Sequence, residues 1–167
     1  ARIHALDGNK EEACRCLREA LKRVEKEDQE SRLRILRQLI ALDAKDISAL
    51  EEAAEVEAAQ GFRDKAVQLL LQINALISAD VVDTQSSENK RLCVLGRIVA
   101  LDSERLQERR VLGQLLAQSN QKDEAVREYL KAADGFRTRG QLPQAIECCQ
   151  DALAVDESAR EARRLLA

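Results

Sequence analysis

Three features of the sequence predict an all-α chain built from antiparallel helix hairpins. The first is composition. Hydrophobic residues make up 45% of the chain and charged residues 34%, and the common types (Ala, Leu, Glu, Arg, Gln) are strong helix formers. One proline, Pro143, and six glycines in 167 residues leave room for long helices and short turns. The second is a recurring turn, in which a Gly or Asn precedes an alanine by five residues at Gly8/Ala13, Gly61/Ala66, Asn120/Ala125 and Gly140/Ala145. The third is a longer duplication. Arg32-Leu33, Leu36, Ala41-Leu42-Asp43 and Asp64-Lys65-Ala66-Val67 recur 59 residues later as Arg91-Leu92, Leu95, Ala100-Leu101-Asp102 and Asp123-Glu124-Ala125-Val126.

Each element follows from these signals. Helices are expected over 9–25, 29–42, 46–60, 63–77, 89–102, 105–118, 122–138, 142–155 and 158–166. At the recurring turn, Gly or Asn takes the left-handed conformation that ends one helix. Acidic residues (Glu11, Glu12, Asp64, Asp123, Glu124) suit the positive N-terminus of the next. Pro143 falls in a first helical turn, where its missing N–H costs nothing, and the small alanine allows close helix approach. The polar stretch 80–88, through Asp83-Thr84-Gln85-Ser86-Ser87, predicts a loop within one repeat domain over 1–167; a hinge between two lobes is the alternative. With no methionine, and with repeats cut at both ends, the chain reads as a fragment of a longer protein.

The best-defined unit spans 106–139, with Leu112-Gly113 and Leu116 followed by Ala125, Tyr129 and Ala132. A second overlaps it: Tyr129, Ala132-Ala133 and Phe136, then Ala145, Cys149 and Ala152, with Glu157 where a proline would stand. An earlier unit has Leu50, Ala53-Ala54, Ala66, Leu70 and Ile73, and a first has His4, Ala13, Leu17 and Ala20. This spacing resembles the 34-residue signature of the tetratricopeptide repeat (TPR) family. Arg109 stands at the family's Trp position and Glu57 at an aromatic one. The resemblance implies a right-handed superhelical solenoid of antiparallel helix hairpins, TPR-like, whose concave face receives an extended peptide or a partner helix. The concave positions it implies are Glu51, Glu55 and Ala58 in one hairpin and Gln107, Arg110, Gln114 and Ala117 in the next. In the last they are Arg127, Leu130, Asp134 and Arg137. Glu55 stands where relatives that clamp a terminal carboxylate place Asn, so a receptor of that kind is not expected.

Charge and chemistry narrow the function. The net charge is −3, which argues against a basic nucleic-acid binder. It is unevenly spread: residues 41–90 hold four Lys/Arg against ten Asp/Glu, whereas 91–167 hold thirteen against twelve. An acidic rim near 43–57 and a more basic groove toward the C-terminal half follow. Arg105, Arg109 and Arg110 sit beside Glu104 and Glu108, which weakens a phosphate-tracking reading. Aromatics are 2% (Phe62, Tyr129, Phe136), too few for base stacking. The single histidine, His4, has no clustered Cys or carboxylate to share a metal and no link to a nucleophile, and no phosphate-binding glycine loop occurs. No cofactor, metal or catalytic residue is expected. The abundant carboxylates read as solvated helix faces. Cys14, Cys16, Cys93, Cys148 and Cys149 fit no disulfide framework and read as small buried thiols in a reducing compartment. No apolar run reaches the roughly 18 residues of a membrane span, and no signal peptide is recognised. The expectation is a non-catalytic, cytoplasmic protein–protein interaction scaffold with a protein or peptide partner, no nucleic acid and no membrane insertion. The alternative is a structural spacer or oligomerisation segment that binds copies of itself.

Overall fold

The computed structural model describes residues 2–79 and 84–166, and every regular element among them is helical. In order, these are α1 (Arg2–Arg23), α2 (Gln29–Leu42), α3 (Ile47–Ala59), α4 (Arg63–Ala79), α5 (Thr84–Leu101), α6 (Leu106–Gln118), α7 (Lys122–Thr138), α8 (Leu142–Val155) and α9 (Arg160–Leu166). The fold is tetratricopeptide-like, and its connections explain why.

Two kinds of turn join α2 through α4 and α5 through α9. The tight kind has a residue of positive φ: Gly61 at 84°, Asn120 at 60° and Gly140 at 72°. After α3 the Gly61 N–H donates to Ala58 O at 3.0 Å and the Phe62 N–H to Glu57 O at 2.9 Å. The same pair of bonds recurs as Asn120 to Ala117 (3.1 Å) and Gln121 to Leu116 (2.8 Å), and as Gly140 to Arg137 (3.0 Å) and Gln141 to Phe136 (2.9 Å). This double bond pattern is the Schellman motif, which satisfies the last carbonyls of the helix. The wider kind is built on an aspartate. Asp43, Asp102 and Asp156 each donate the backbone N–H to the helix they end, to Leu39 O (2.7 Å), Ile98 O (2.9 Å) and Ala152 O (3.0 Å). Each then turns its carboxylate onto the N–H two residues ahead, at Lys45 (3.2 Å), Glu104 (3.0 Å) and Ser158 (2.8 Å). This Asx turn accounts for the Ala-Leu-Asp duplication, and Asp156 is a third instance of it.

The described chain divides into two compact units, Ala1–Leu76 and Ile77–Ala167. In the first, α2 packs on α1 and α3. Leu33, Leu36, Leu39, Ala49, Ala53 and Val56 form its core with Cys14, and Leu69 of α4 packs against that cluster. In the second unit, α5 through α9 pack in succession, and α6 also touches α8. Alternate helices therefore share a layer, with α7 between α6 and α8. Gly113 has a steric reason: a Cβ there would lie 3.0 Å from Cε1 of the Tyr129 ring, so the Leu-Gly pair makes room for the aromatic of the next helix. Tyr129 and Phe136 are buried, whereas Phe62 is exposed.

Several expectations need correction. Gly8 forms no turn: α1 runs unbroken from Arg2 to Arg23, and an isolated glycine costs a helix only about 1 kcal/mol. The first expected hairpin is thus a single helix. Of the stretch 80–88, residues 80–83 lie outside the described residues and Thr84 onward already belongs to α5. The cysteines are not uniformly buried. Cys14, Cys148 and Cys149 are, but Cys16 and Cys93 are exposed, and all five are free. Adjacent Cys148 and Cys149 both enter the core because α8 buries a wide arc that also holds Ala145 and Ala152. Nor are all carboxylates solvated. Glu57 is buried; its Oε1 accepts from Arg37 at 2.8 Å, and its Oε2 has no hydrogen-bond partner among the described residues.

Candidate functional site

The sequence-derived positions fall on α3 in the first unit and on α6 and α7 in the second. In the first unit, Glu51 and Glu55 flank an open hollow of about 480 Å³ on α3, shared with Lys26, Arg32 and Glu52. Arg32 donates to Glu52 across its wall. Ala58, on the same helix, is partly buried.

In the second unit, α6 and α7 present their positions to different neighbours. Arg110 on α6 reaches α8, where its Nε donates to Asp151 Oδ2 at 2.8 Å and its Nη1 to Glu147. Burial disfavours the charge of Arg110, but the bonds to Asp151 and Glu147 outweigh it and raise its pKa. This guanidinium is held by its own chain. Gln107 and Gln114 stay exposed on α6, and Ala117 is partly buried. Arg127, Leu130, Asp134 and Arg137 lie instead on α7, facing α9. There they line two adjoining hollows of about 330 and 320 Å³ that share Asp134, Glu161 and Leu165. The hollows form a single trough between α7 and α9. Its floor is Leu130 and Leu165; Lys131 and Arg164 complete its rim.

Sequence reasoning missed the α9 half of this trough, although the repeat contains the signal. Adding the 34-residue period to Arg127 and Leu130 lands on Glu161 and Arg164, and both line the trough. Helices α7 and α9 are thus successive equivalents. Sequence also could not show what replaces the missing tryptophan. Arg109 is buried, donates to Glu128 Oε2 at 2.6 Å and reaches Ser103 O at 3.4 Å. An α6–α7 ion pair stands where the family packs an aromatic ring.

Among the described residues, no group of three His, Cys, Asp or Glu is arranged to hold a metal ion. No helix among them is long and apolar enough to cross a membrane. Burial pushes the Cys148 thiol up to about 11, which keeps it protonated and poorly nucleophilic.

No family model matches the chain, and no curated protein does. Solved structures do match. The chain is similar to the MamA protein, at 15% identity over 90% of this chain and 95% of that one, with a TM-score of 0.38. It is similar to YrrB, described as a TPR protein with an unusual peptide-binding site, at 18% identity over 98% and 96% of the two chains and a TM-score of 0.32. A putative kinesin light chain of Podosopora anserina with nearly identical TPR-like repeats matches at 18% identity over 93% and 90%, with a TM-score of 0.37. The assignment of a TPR-like fold rests on the turns and packing of this chain itself.

Proposed function

We propose that this chain is a non-catalytic protein–protein interaction scaffold that seats a peptide or partner helix in the trough between α7 and α9. The observation that carries this reading is the trough itself, where an apolar floor of Leu130 and Leu165 is ringed by charged side chains and left open. Recognition grooves combine an apolar floor with a few polar groups that fix orientation. Glu51 and Glu55 on α3, with Gln107 and Gln114 on α6, are proposed as further contact positions. A cytoplasmic location belongs to the same proposal, supported by the free thiols, which a reducing compartment maintains. The test is affinity capture with wild-type chain and with Leu130→Glu, which places a charge on the floor. The variant should lose partners that the wild type retains; an identical set of captured proteins would remove the trough from the account.

The alternative, a spacer or oligomerisation segment, also has an observation in its favour. On α8, Leu142 is 57% exposed and Ile146 45%, one helical turn apart on the same face. Arg110, meanwhile, is paired with Glu147 and Asp151 of α8. Light-scattering mass in solution separates the two readings. A concentration-dependent dimer abolished by Leu142→Ser and Ile146→Ser would favour the alternative.

A further inference from the structure

The trough has a chemical bias that identifies the kind of segment it fits. Four cations (Arg127, Lys131, Arg137, Arg164) and two carboxylates (Asp134, Glu161) surround the leucine floor. Among the described residues, three of the cations are engaged only by neighbours on their own helix. Arg127 meets Glu124 at 2.9 Å, Lys131 meets Glu128 at 2.8 Å and Arg137 meets Asp134 at 2.6 Å. Each of these cationic side chains is more than half exposed, and exposed pairs of this sort contribute little to stability. An incoming carboxylate can therefore displace or share them at small cost. Glu128 is committed besides to buried Arg109, so Lys131 shares a carboxylate already in use. The contrast with Arg110 is direct, since its two carboxylates lie on α8 and tie two helices together. The hollow on α3 has the opposite balance, with Glu51, Glu52 and Glu55 against Lys26 and Arg32.

We propose that the α7–α9 trough binds an acidic segment of a partner protein, with one branched apolar side chain seated between Leu130 and Leu165 and flanking carboxylates on Arg127, Lys131, Arg137 and Arg164. The proposal rests on the docking role given to the trough above and adds the chemistry of its occupant. Complementary charge speeds encounter and fixes orientation, while the apolar anchor supplies affinity at the desolvated centre. The rim alone would also attract a nucleic-acid backbone, but no aromatic side chain lines the trough, so bases have nothing to stack on.

The test is fluorescence anisotropy of the full chain with a short labelled peptide of alternating aspartate and serine around a central leucine. The comparison probes are the same peptide with alanine for the leucine, the same with lysine for aspartate, and single-stranded oligo-dT. The leucine-bearing acidic peptide should bind, and its alanine counterpart about tenfold more weakly, the loss expected for an apolar side chain in a pocket. Raising salt should weaken binding several-fold, as exposed charges are screened. The double variant Arg137→Glu, Arg164→Glu should lose about tenfold or more, and Leu165→Ala should lose affinity without altering the salt dependence. Circular dichroism of both variants, expected to stay helical, separates lost binding from lost folding. Equal binding of the lysine peptide, equal or tighter binding of oligo-dT, or an unchanged affinity in the double variant would overturn the proposal. If the acidic peptide does not bind while capture by the chain still depends on Leu130, the acidic assignment falls and the docking role stands. If capture is also independent of Leu130, the docking role falls with it.

Discussion

At the residue scale, charged side chains occupy positions where the repeat pattern calls for aromatic ones. Arg109 and Glu128 are both largely buried and joined at 2.6 Å. Removing one member of such a pair leaves an uncompensated charge and costs about 3 kcal/mol, whereas replacing both with apolar groups is close to neutral. Chemical denaturation should therefore show Arg109→Met to be destabilised by about that amount, with much of the loss restored by Arg109→Met combined with Glu128→Leu. A double variant no more stable than the single one would mean that the ion pair is not what holds α6 to α7 at this point. The departure of Arg109 from the pattern is legible in the sequence, but its partner is not, because a helical period specifies a face and not the residue across it. The cysteines divide in the same way. Cys16 and Cys93 should react with a thiol reagent in the native state, while Cys14, Cys148 and Cys149 should react only on unfolding, as their burial requires. Fast labelling of Cys148 would contradict both its burial and its raised pKa.

At the scale of elements, the sequence was most informative where a turn has a single chemical solution. Helices α2, α7 and α8 fall on their expected limits, because Asn120 and Gly140 supply the left-handed residue and Asp43 and Asp156 the Asx turns. It was misleading at Gly8, where the same spacing lacks a helix-ending context and α1 continues through. Capping gives a measurable consequence. Asp46 caps α3 by accepting from the Ala49 N–H at 3.1 Å and also receives Arg18 at 2.7 Å. Partial burial alone would raise its pKa, but the bonds from Arg18 and Ala49 outweigh it and hold the carboxyl below 3.8. A depressed carboxylate contributes stability above its unfolded pKa and loses it as pH falls through the folded value. Asp46→Ala should thus cost about 1 kcal/mol near neutrality, and the gap from wild type should close only below about pH 3.8, as the carboxylate of the wild type is protonated. A constant gap down to pH 2 would show that the charge is not involved.

For the whole molecule, the duplication and the TPR resemblance reveal the architecture but not the functional surface. The candidate positions on α6 and α7 share a repeat register, yet Arg110 of the first set reaches α8 while the second set faces α9. The pair of Arg110 with Asp151 spans 41 residues, far beyond the reach of local periodicity, and ties this expected contact position to α8. The α7–α9 trough, by contrast, is open toward solvent. Its role as a docking surface is tested most directly by mapping amide chemical shifts of the full chain on titration with a protein it captures. The account predicts perturbations concentrated at Arg127, Leu130, Asp134 and Arg137 on α7 and at Glu161 and Leu165 on α9. Perturbations confined to α8 around Leu142 and Ile146, with α7 and α9 silent, would contradict it.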